Sequence, residues 1–301
     1  MTPTDFHVTI KVTKGAMKYV ITGATGHLGR QITRQLAQRV APEEMTLGVH
    51  TPSKATEFVQ QGMTVLPLDY QDVASLVASL RQADVAIYVP SKSHDSFSRV
   101  SEFENVVTAA EQAQVKHLLV MGFIADQVNN PFDLSAFYGY VPRRLAASTL
   151  DYTVVRNALY ADPLVPYLPE LIARGNVIYP IGDASLSFIS LAESAAAFAQ
   201  LAVTPTLWRQ PIYTLTQERS YTMPALAEVL STASEAKIGY APVTLPQFAA
   251  LYNEGNEGHM LASMYAGGAQ GLLATVSTDF RQIMGRPAQS LPDFLSATLA
   301  K

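Results

Sequence analysis

Short β-rich runs alternate with amphipathic helical stretches over the first half of the chain, and this rhythm limits the folds open to it more than any other feature. The runs MKYVIT, MTLGVH, MTVLPL, DVAIYVP, HLLVMGF and YTVVRN begin at Met17, Met45, Met63, Asp84, His117 and Tyr152. Between them apolar residues recur at helical spacing: Leu28, Ile32, Leu36 and Val40 share one face, as do Val73, Leu76, Val77 and Leu80. Thr51 and Pro52 read as an N-cap and a first helical position. Strands joined by helices pair in parallel through right-handed crossovers, so the pattern predicts an α/β fold built on a doubly wound parallel sheet.

The rhythm breaks after Asn157. The segment YADPLVPYLPELIARGNVIYP, Tyr160 to Pro180, is rich in proline and tyrosine and cannot form a clean βαβ unit. We expect residues 158–182 and 217–301 to make a smaller, mainly helical lobe, with one strand near KIGYAPV. Residues 183–216, carrying the helix LAESAAAFAQLAV and the strand PIYTLT, are expected to return to the main domain of residues 17–157. A chain of 301 residues, 48% hydrophobic, can bury the core this requires. Residues 1–16, ahead of the strand at Met17, are read as a leader extension packed on the outside.

Between the first strand and its helix stands GATGHLG, residues 23–29. Gly23 permits the tight turn, Gly26 lets backbone approach a pyrophosphate, and Gly29 lets the helix pack on the strand. The helix N-terminus then faces the negative charge, with Thr25, His27 and Leu28 in the same turn. This is a Rossmann-type dinucleotide fingerprint. An acidic residue closing the second strand would select NAD; here GVHTPSK offers His50, Thr51 and Lys54 and no acid, which favours NADP over NAD, NAD being the alternative. Asp69 and Tyr70, closing the third strand, are expected beside the adenine edge, with helix capping as the other role for Asp69. Val89, Pro90 and Ser91, ending the fourth strand, are expected at the crevice.

Other functions are excluded by what the sequence lacks. A net charge of -4 without any Lys/Arg-rich run removes the footprint of direct nucleic-acid binding. The absence of cysteine excludes disulfides, thiolate zinc sites and a cysteine nucleophile, fits a cytoplasmic protein, and means that redox work needs a bound cofactor. No signal-peptide core and no run approaching the ~20 apolar residues of a membrane span is present, so neither secretion nor membrane insertion is expected. The histidines at positions 7, 27, 50, 94, 117 and 259 have no ligand-like spacing, and no metal is expected. Neither a G-x-S-x-G elbow nor a paired-carboxylate signature occurs.

The segments YVITGATGHLG, HTPSKA, LPLDYQD, YTVVRNALY and IMGRPAQSLPDFL, in this order along the chain, resemble the NmrA-like, atypical branch of the short-chain dehydrogenase/reductase superfamily, and within it the NADPH-dependent quinone oxidoreductases and triphenylmethane reductases. The resemblance implies NADP binding and hydride transfer; the same branch also holds regulators that bind the dinucleotide without turnover. Where reductases of this group carry Arg-Asn, this chain has His50-Thr51, and where their fifth strand ends in Thr-Ser, it has Met121-Gly122, which sets Gly122 beside the cofactor without a hydroxyl. Their His and Glu-Lys positions correspond here to Tyr138 and to Pro142-Arg143.

The superfamily's usual Tyr and Lys, four residues apart, are missing: Tyr138 is followed by Pro142 and Tyr140 by Arg144. Proline suits a first helical turn, so Tyr140 and Arg144 are not expected to share a helix face, and Arg143 and Arg144 would begin a helix. A tyrosine donates a proton near neutrality when a cation lowers its pKa, which makes Tyr138 with Arg143 the expected catalytic pair. Reduction of a quinone yields a phenolate comparable to tyrosine itself, so it asks little of an acid and much of positioning. Tyr160, Tyr167, Phe188, Tyr252 and Tyr265 are expected to offer flat apolar surface to such an acceptor, Tyr160 and Tyr265 as substrate residues, and YAGGAQG, residues 265–271, reads as a flexible loop. The expected function is thus an NADPH-dependent reductase of a small quinone-like or conjugated acceptor. The alternatives are an NAD(P) redox sensor acting on a protein partner and, last, a sugar-nucleotide epimerase or dehydratase.

Overall fold

The computed structural model describes residues 17–299, so the leader assigned to residues 1–16 lies outside the described residues. Seven strands form one sheet: β1 (Tyr19–Thr22), β2 (Met45–Val49), β3 (Thr64–Pro67), β4 (Val85–Tyr88), β5 (His117–Phe123), β6 (Tyr152–Asn157) and, later in the chain, β10 (Ile212–Leu215). Their order is β3-β2-β1-β4-β5-β6-β10 and every pairing is parallel. The crossovers are α1 (His27–Leu36), α2 (Thr56–Gln60), α3 (Val73–Leu80), α4 (Ser96–Gln112) and α5 (Ser135–Ala146). The sheet is therefore Rossmann-like, with the direction of strand addition reversing between β1 and β4. At such a reversal the helices leave on opposite faces and a crevice opens beyond the strand ends.

Burial explains the strand sequences. Val20, Ile21, Ala86, Ile87, Leu118, Leu119, Val154 and Val155 are all at most 2% exposed, as parallel strands covered on both faces require. After β6 the chain makes β7 (Leu159–Tyr160), α6 (Leu164–Arg174), β8 (Asn176–Val177), β9 (Ser185–Ile189) and α7 (Leu191–Val203) before reaching β10. It continues as β11 (Ser220–Thr222), α8 (Met223–Ser234), β12 (Gly239–Tyr240), α9 (Leu245–Leu251), α10 (Gly258–Ala269), α11 (Asp279–Met284) and α12 (Leu291–Leu299). β9 pairs with β7 and β11, and β8 with β12, so these short strands make two small sheets separate from the main one.

Two local expectations are corrected. α5 runs through Pro142 without breaking, although proline there removes the amide that would donate to the Tyr138 carbonyl, and Arg143 Nη1 folds back to donate to the Gly139 carbonyl. Arg143 and Arg144 thus sit in the last turn of α5, where cations are favoured, and Tyr140 and Arg144 do share a face: both engage Glu104 of α4, Arg144 Nε at 2.8 Å. The second correction is that Tyr265 to Ala269 belong to α10, not to a loop. The missing side chains of Gly267 and Gly268 admit Asn130 and Ile181 against the helix; a Cβ on Gly268 would come 3.2 Å from Ile181 Cγ2. Among the described residues no helix is long and apolar enough to cross a membrane.

Candidate active site

Gly23 begins the turn after β1 with φ +62°, a backbone conformation glycine adopts without strain, and its carbonyl accepts from the Gly26 amide at 3.0 Å. A Cβ on Gly23 would come 3.1 Å from the Val89 carbonyl, and one on Gly29 would run into the Gly23 carbonyl oxygen. The turn therefore needs glycine at both ends to bring α1 against β1. Thr22 and Tyr70 brace it from below: the Tyr70 hydroxyl lies 2.8 Å from Thr22 Oγ1 and 2.7 Å from the Val89 carbonyl. Tyr70, expected at the adenine edge, thus directs its hydroxyl inward beneath Gly23, and burial raises its pKa. Asp69 stays exposed and accepts from the Gln71 amide at 2.9 Å, while Asp72 is the residue that caps α3.

Beyond the turn, His27, Leu28, Val89, Pro90 and Ser91 line a groove of about 660 Å³. His27 is exposed and Leu28 is buried. Ser91 is held by Glu102 of α4: its hydroxyl lies 2.5 Å from Glu102 Oε2, and Ser93 Oγ donates to Oε1 at 2.8 Å. Glu102 is only 6% exposed, so this carboxylate holds Ser91 and Ser93 from inside. On the other side of the turn His50 and Lys54 are exposed and Thr51 is half-buried, following the end of β2.

The groove leads into an apolar chamber of about 370 Å³ walled by aromatic side chains. Met121, Tyr138, Tyr160, Pro163 and Tyr167 line both spaces. The five aromatic residues singled out in the sequence, Tyr160, Tyr167, Phe188, Tyr252 and Tyr265, all face this chamber. Tyr265 stacks on Tyr179 with ring centroids 4.9 Å apart and meets Phe248 edge-on at 4.9 Å, so the far wall is a set of interlocked rings. Gly122, expected beside the cofactor, is buried, and a Cβ on it would come 2.9 Å from Val154 Cγ1; its neighbour Met121, on the opposite face of the strand, reaches the groove instead.

The structure does not pair Tyr138 with Arg143. Arg143 is exposed and folded back on Gly139, whereas Tyr138 is 7% exposed and its hydroxyl accepts from Arg99 Nη1 at 3.0 Å. Arg99 is fixed in turn by Nε donating to the Ser93 carbonyl at 2.7 Å and by packing over the Phe137 and Tyr138 rings. Sequence reasoning missed Arg99 and Glu102. The usable signal was the Asp95 N-cap of α4, which places residues 99 and 102 one turn apart at the strand-end side of the helix. The Tyr160 hydroxyl is buried with no hydrogen-bond partner among the described residues; Ser194, nearby, donates instead to Asn157 Oδ1 at 2.6 Å. Burial raises the Tyr160 pKa, keeping the phenol protonated and able to donate. Asp162 lines the groove beside it and accepts from the Leu191 amide at 2.7 Å; burial raises its carboxyl pKa. Among the described residues no group of three or more His, Cys, Asp or Glu converges as a metal site.

Residues 23–199 match the NAD(P)H-binding family. The chain is 28% identical to quinone oxidoreductase 2 of Escherichia coli (strain K12) over 92% of this chain and 96% of that protein. The crystal structure of an NADPH-dependent quinone oxidoreductase from Escherichia coli complexed with NADPH superposes with a TM-score of 0.84 at 27% identity, covering 93% of this chain and 99% of the other. That of a nucleoside-diphosphate-sugar epimerase from Staphylococcus aureus superposes with a TM-score of 0.89 at 41% identity, covering 93% and 100%.

Proposed function

From the premise that the chain is an NAD(P)H-binding oxidoreductase belonging to the NmrA-like, atypical short-chain dehydrogenase/reductase family, we propose that it reduces a small quinone-like or other conjugated acceptor at the expense of NADPH. The observation that carries this reading is the continuity of the phosphate-turn groove with the aromatic chamber through Met121, Tyr138, Tyr160, Pro163 and Tyr167. A flat acceptor resting on the rings of the chamber lies beside whatever occupies the inner end of the groove.

The residues present fit a dinucleotide. Gly23 and Gly29 close the turn against Val89 and α1, Gly26 would let backbone approach a pyrophosphate at the N-terminus of α1, and Val89, Pro90 and Ser91 would flank it on the β4 side. Bound there, the reduced nicotinamide supplies a hydride. The protein's own part is positioning and charge. Met121, Phe132, Phe188 and Phe248 exclude water from the chamber, which strengthens polar contacts inside it. Tyr160 contributes to the wall shared by the groove and the chamber, with its hydroxyl buried behind that wall. Arg99 holds the Tyr138 hydroxyl, and its fixed positive charge favours negative charge developing on an oxygen close to that hydroxyl.

The epimerase reading meets a physical objection despite the Staphylococcus aureus neighbour. The chamber has no lysine or arginine in its lining and one carboxylate, Glu257, so it offers nothing to a nucleoside diphosphate's negative charge. Tyr140 and Arg144, the nearest approach to a Tyr-Lys spacing, are tied to Glu104 and line neither space. The test is titration of the purified protein with NADPH by nicotinamide fluorescence, followed by menadione in the same cuvette. Binding then oxidation supports the reductase; tight binding without oxidation of NADPH by a broad quinone and aldehyde panel refutes it and favours a sensor acting on a protein partner.

A further inference from the structure

The end of β2 presents a puzzle: a sequence favouring NADP on the absence of an acid, yet with only His50, Thr51 and Lys54 to meet a phosphate. The structure brings a fourth residue there from another element. Arg30 lies in the first turn of α1, its amide donating to the Gly26 carbonyl at 3.0 Å. Its side chain reaches across to the turn after β2, where Nη2 donates to the Lys54 carbonyl at 3.1 Å, and its guanidinium lies 5.6 Å from the centre of the Phe58 ring. It also pairs with Glu57, which is shared with Arg34 Nη2 at 3.0 Å. One carboxylate thus serves two guanidinium groups, and with Lys54 alongside the local charge stays positive. The Arg30 side chain is 31% exposed, so it is pinned in place and still open to solvent.

We infer that Arg30, on α1, is the principal ligand for a phosphate monoester on the adenosine ribose, with Lys54 supplementing it, so that cofactor choice rests on a helix residue and not on the side chains that close β2. The ribose hydroxyls of a dinucleotide bound to this fold lie at the end of β2, beside the phosphate turn, which is the corner Arg30 and the Thr51–Lys54 turn enclose. A guanidinium carries five donors in a rigid fork matched to phosphate oxygens, and Arg30 commits only part of them to Lys54 and Glu57. Glu57, the acid closest in sequence that could accept from an unmodified ribose diol, is withheld by its two arginines. The inference uses only the dinucleotide-binding half of the proposed function and is independent of acceptor turnover.

The experiment is competition binding on the full chain: displacement of NADPH fluorescence by adenosine 2′,5′-bisphosphate and by adenosine 5′-monophosphate, which differ only in the ribose phosphate. Wild-type protein should prefer the bisphosphate, and this preference should fall as salt rises. Arg30→Gln should cut the preference about tenfold or more, the worth of a charge-assisted hydrogen bond, and leave the monophosphate affinity within about twofold. Glu57→Gln should keep or raise the preference, because it leaves Arg30 in place and removes a competing carboxylate. Equal loss of both probes in both variants would mean that the pair merely fastens the turn. An unchanged preference in Arg30→Gln, or a wild-type preference for the monophosphate, would overturn the assignment. Loss of menadione reduction with the bisphosphate preference intact would instead count against the reductase reading alone.

Discussion

Replacing Tyr138 by phenylalanine removes one oxygen and keeps every ring contact, which makes it a sharp test of the proposed chemistry. The ring is packed by Phe123, Phe132 and Phe137 at centroid distances of 5.5, 6.4 and 5.1 Å, and the residue is 7% exposed, so its packing survives. Arg99 Nη1 loses an acceptor, but Arg99 remains fixed through Nε and the Ser93 carbonyl. The loss of stability should therefore stay near about 1 kcal/mol. If the Tyr138 hydroxyl donates to the oxygen that gains charge, the transition state loses a charge-assisted hydrogen bond of about 1.5–3 kcal/mol, or about 10- to 100-fold in rate. A quinone product, with a phenol-like pKa of about 10, belongs at the low end of that range and an aldehyde at the high end. Steady-state kinetics with menadione and with an aromatic aldehyde, beside NADPH titration, should show kcat falling about tenfold or more and cofactor affinity unchanged. Arg99→Met should produce a similar loss, and the double variant should cost little more than either change alone, since the two groups act as one unit. Unchanged kcat for both acceptors in Tyr138→Phe would reduce Tyr138 to a wall of the chamber and refute the reasoning.

Two further outcomes follow from buried groups. Gly29→Ala places a Cβ on the Gly23 carbonyl, so it should destabilise the fold by about 1–3 kcal/mol in denaturant melts and weaken NADPH binding in the same samples, whereas the exposed His27→Ala should leave stability within about 0.5 kcal/mol. His117 is 1% exposed, stacked on Trp208 at 4.2 Å, and burial lowers its pKa from 6.5 to about 4. The unfolded chain then binds the proton first, so stability contributed by His117 is intact above about pH 6.5 and is lost progressively towards pH 4, by at most about 3 kcal/mol. Chemical denaturation at pH 7.5 and pH 5 should show this loss in the wild type and a smaller one in His117→Gln; equal pH slopes would show that His117 is not responsible.

Features set by neighbours along the chain can be read before the fold is known. The parallel sheet was legible because strands buried on both faces must be continuously apolar and their helices must carry one apolar stripe, as Ile21 and Leu28, Ile32 and Leu36 do. The phosphate turn was legible because Gly23, Gly26 and Gly29 act within one turn of backbone. The aromatic residues expected to face an acceptor, Tyr160, Tyr167, Phe188, Tyr252 and Tyr265, do line the chamber, although they come from segments far apart in the chain. Tertiary structure decided everything that joins distant elements. It chose Arg99 of α4 over Arg143 of α5 as the partner of Tyr138, because a continuous helix through Pro142 turns Arg143 outward. It put Met121 and not Gly122 at the groove, since neighbouring residues on a strand face opposite ways. It packed Asn130 and Ile181 against Gly267 and Gly268 in α10, in space that side chains there would need. Local signals set most of the backbone form, but not at Pro142 or at Tyr265–Ala269, and the pairing of charges and rings across elements depends on crossing geometry that no short stretch of chain contains.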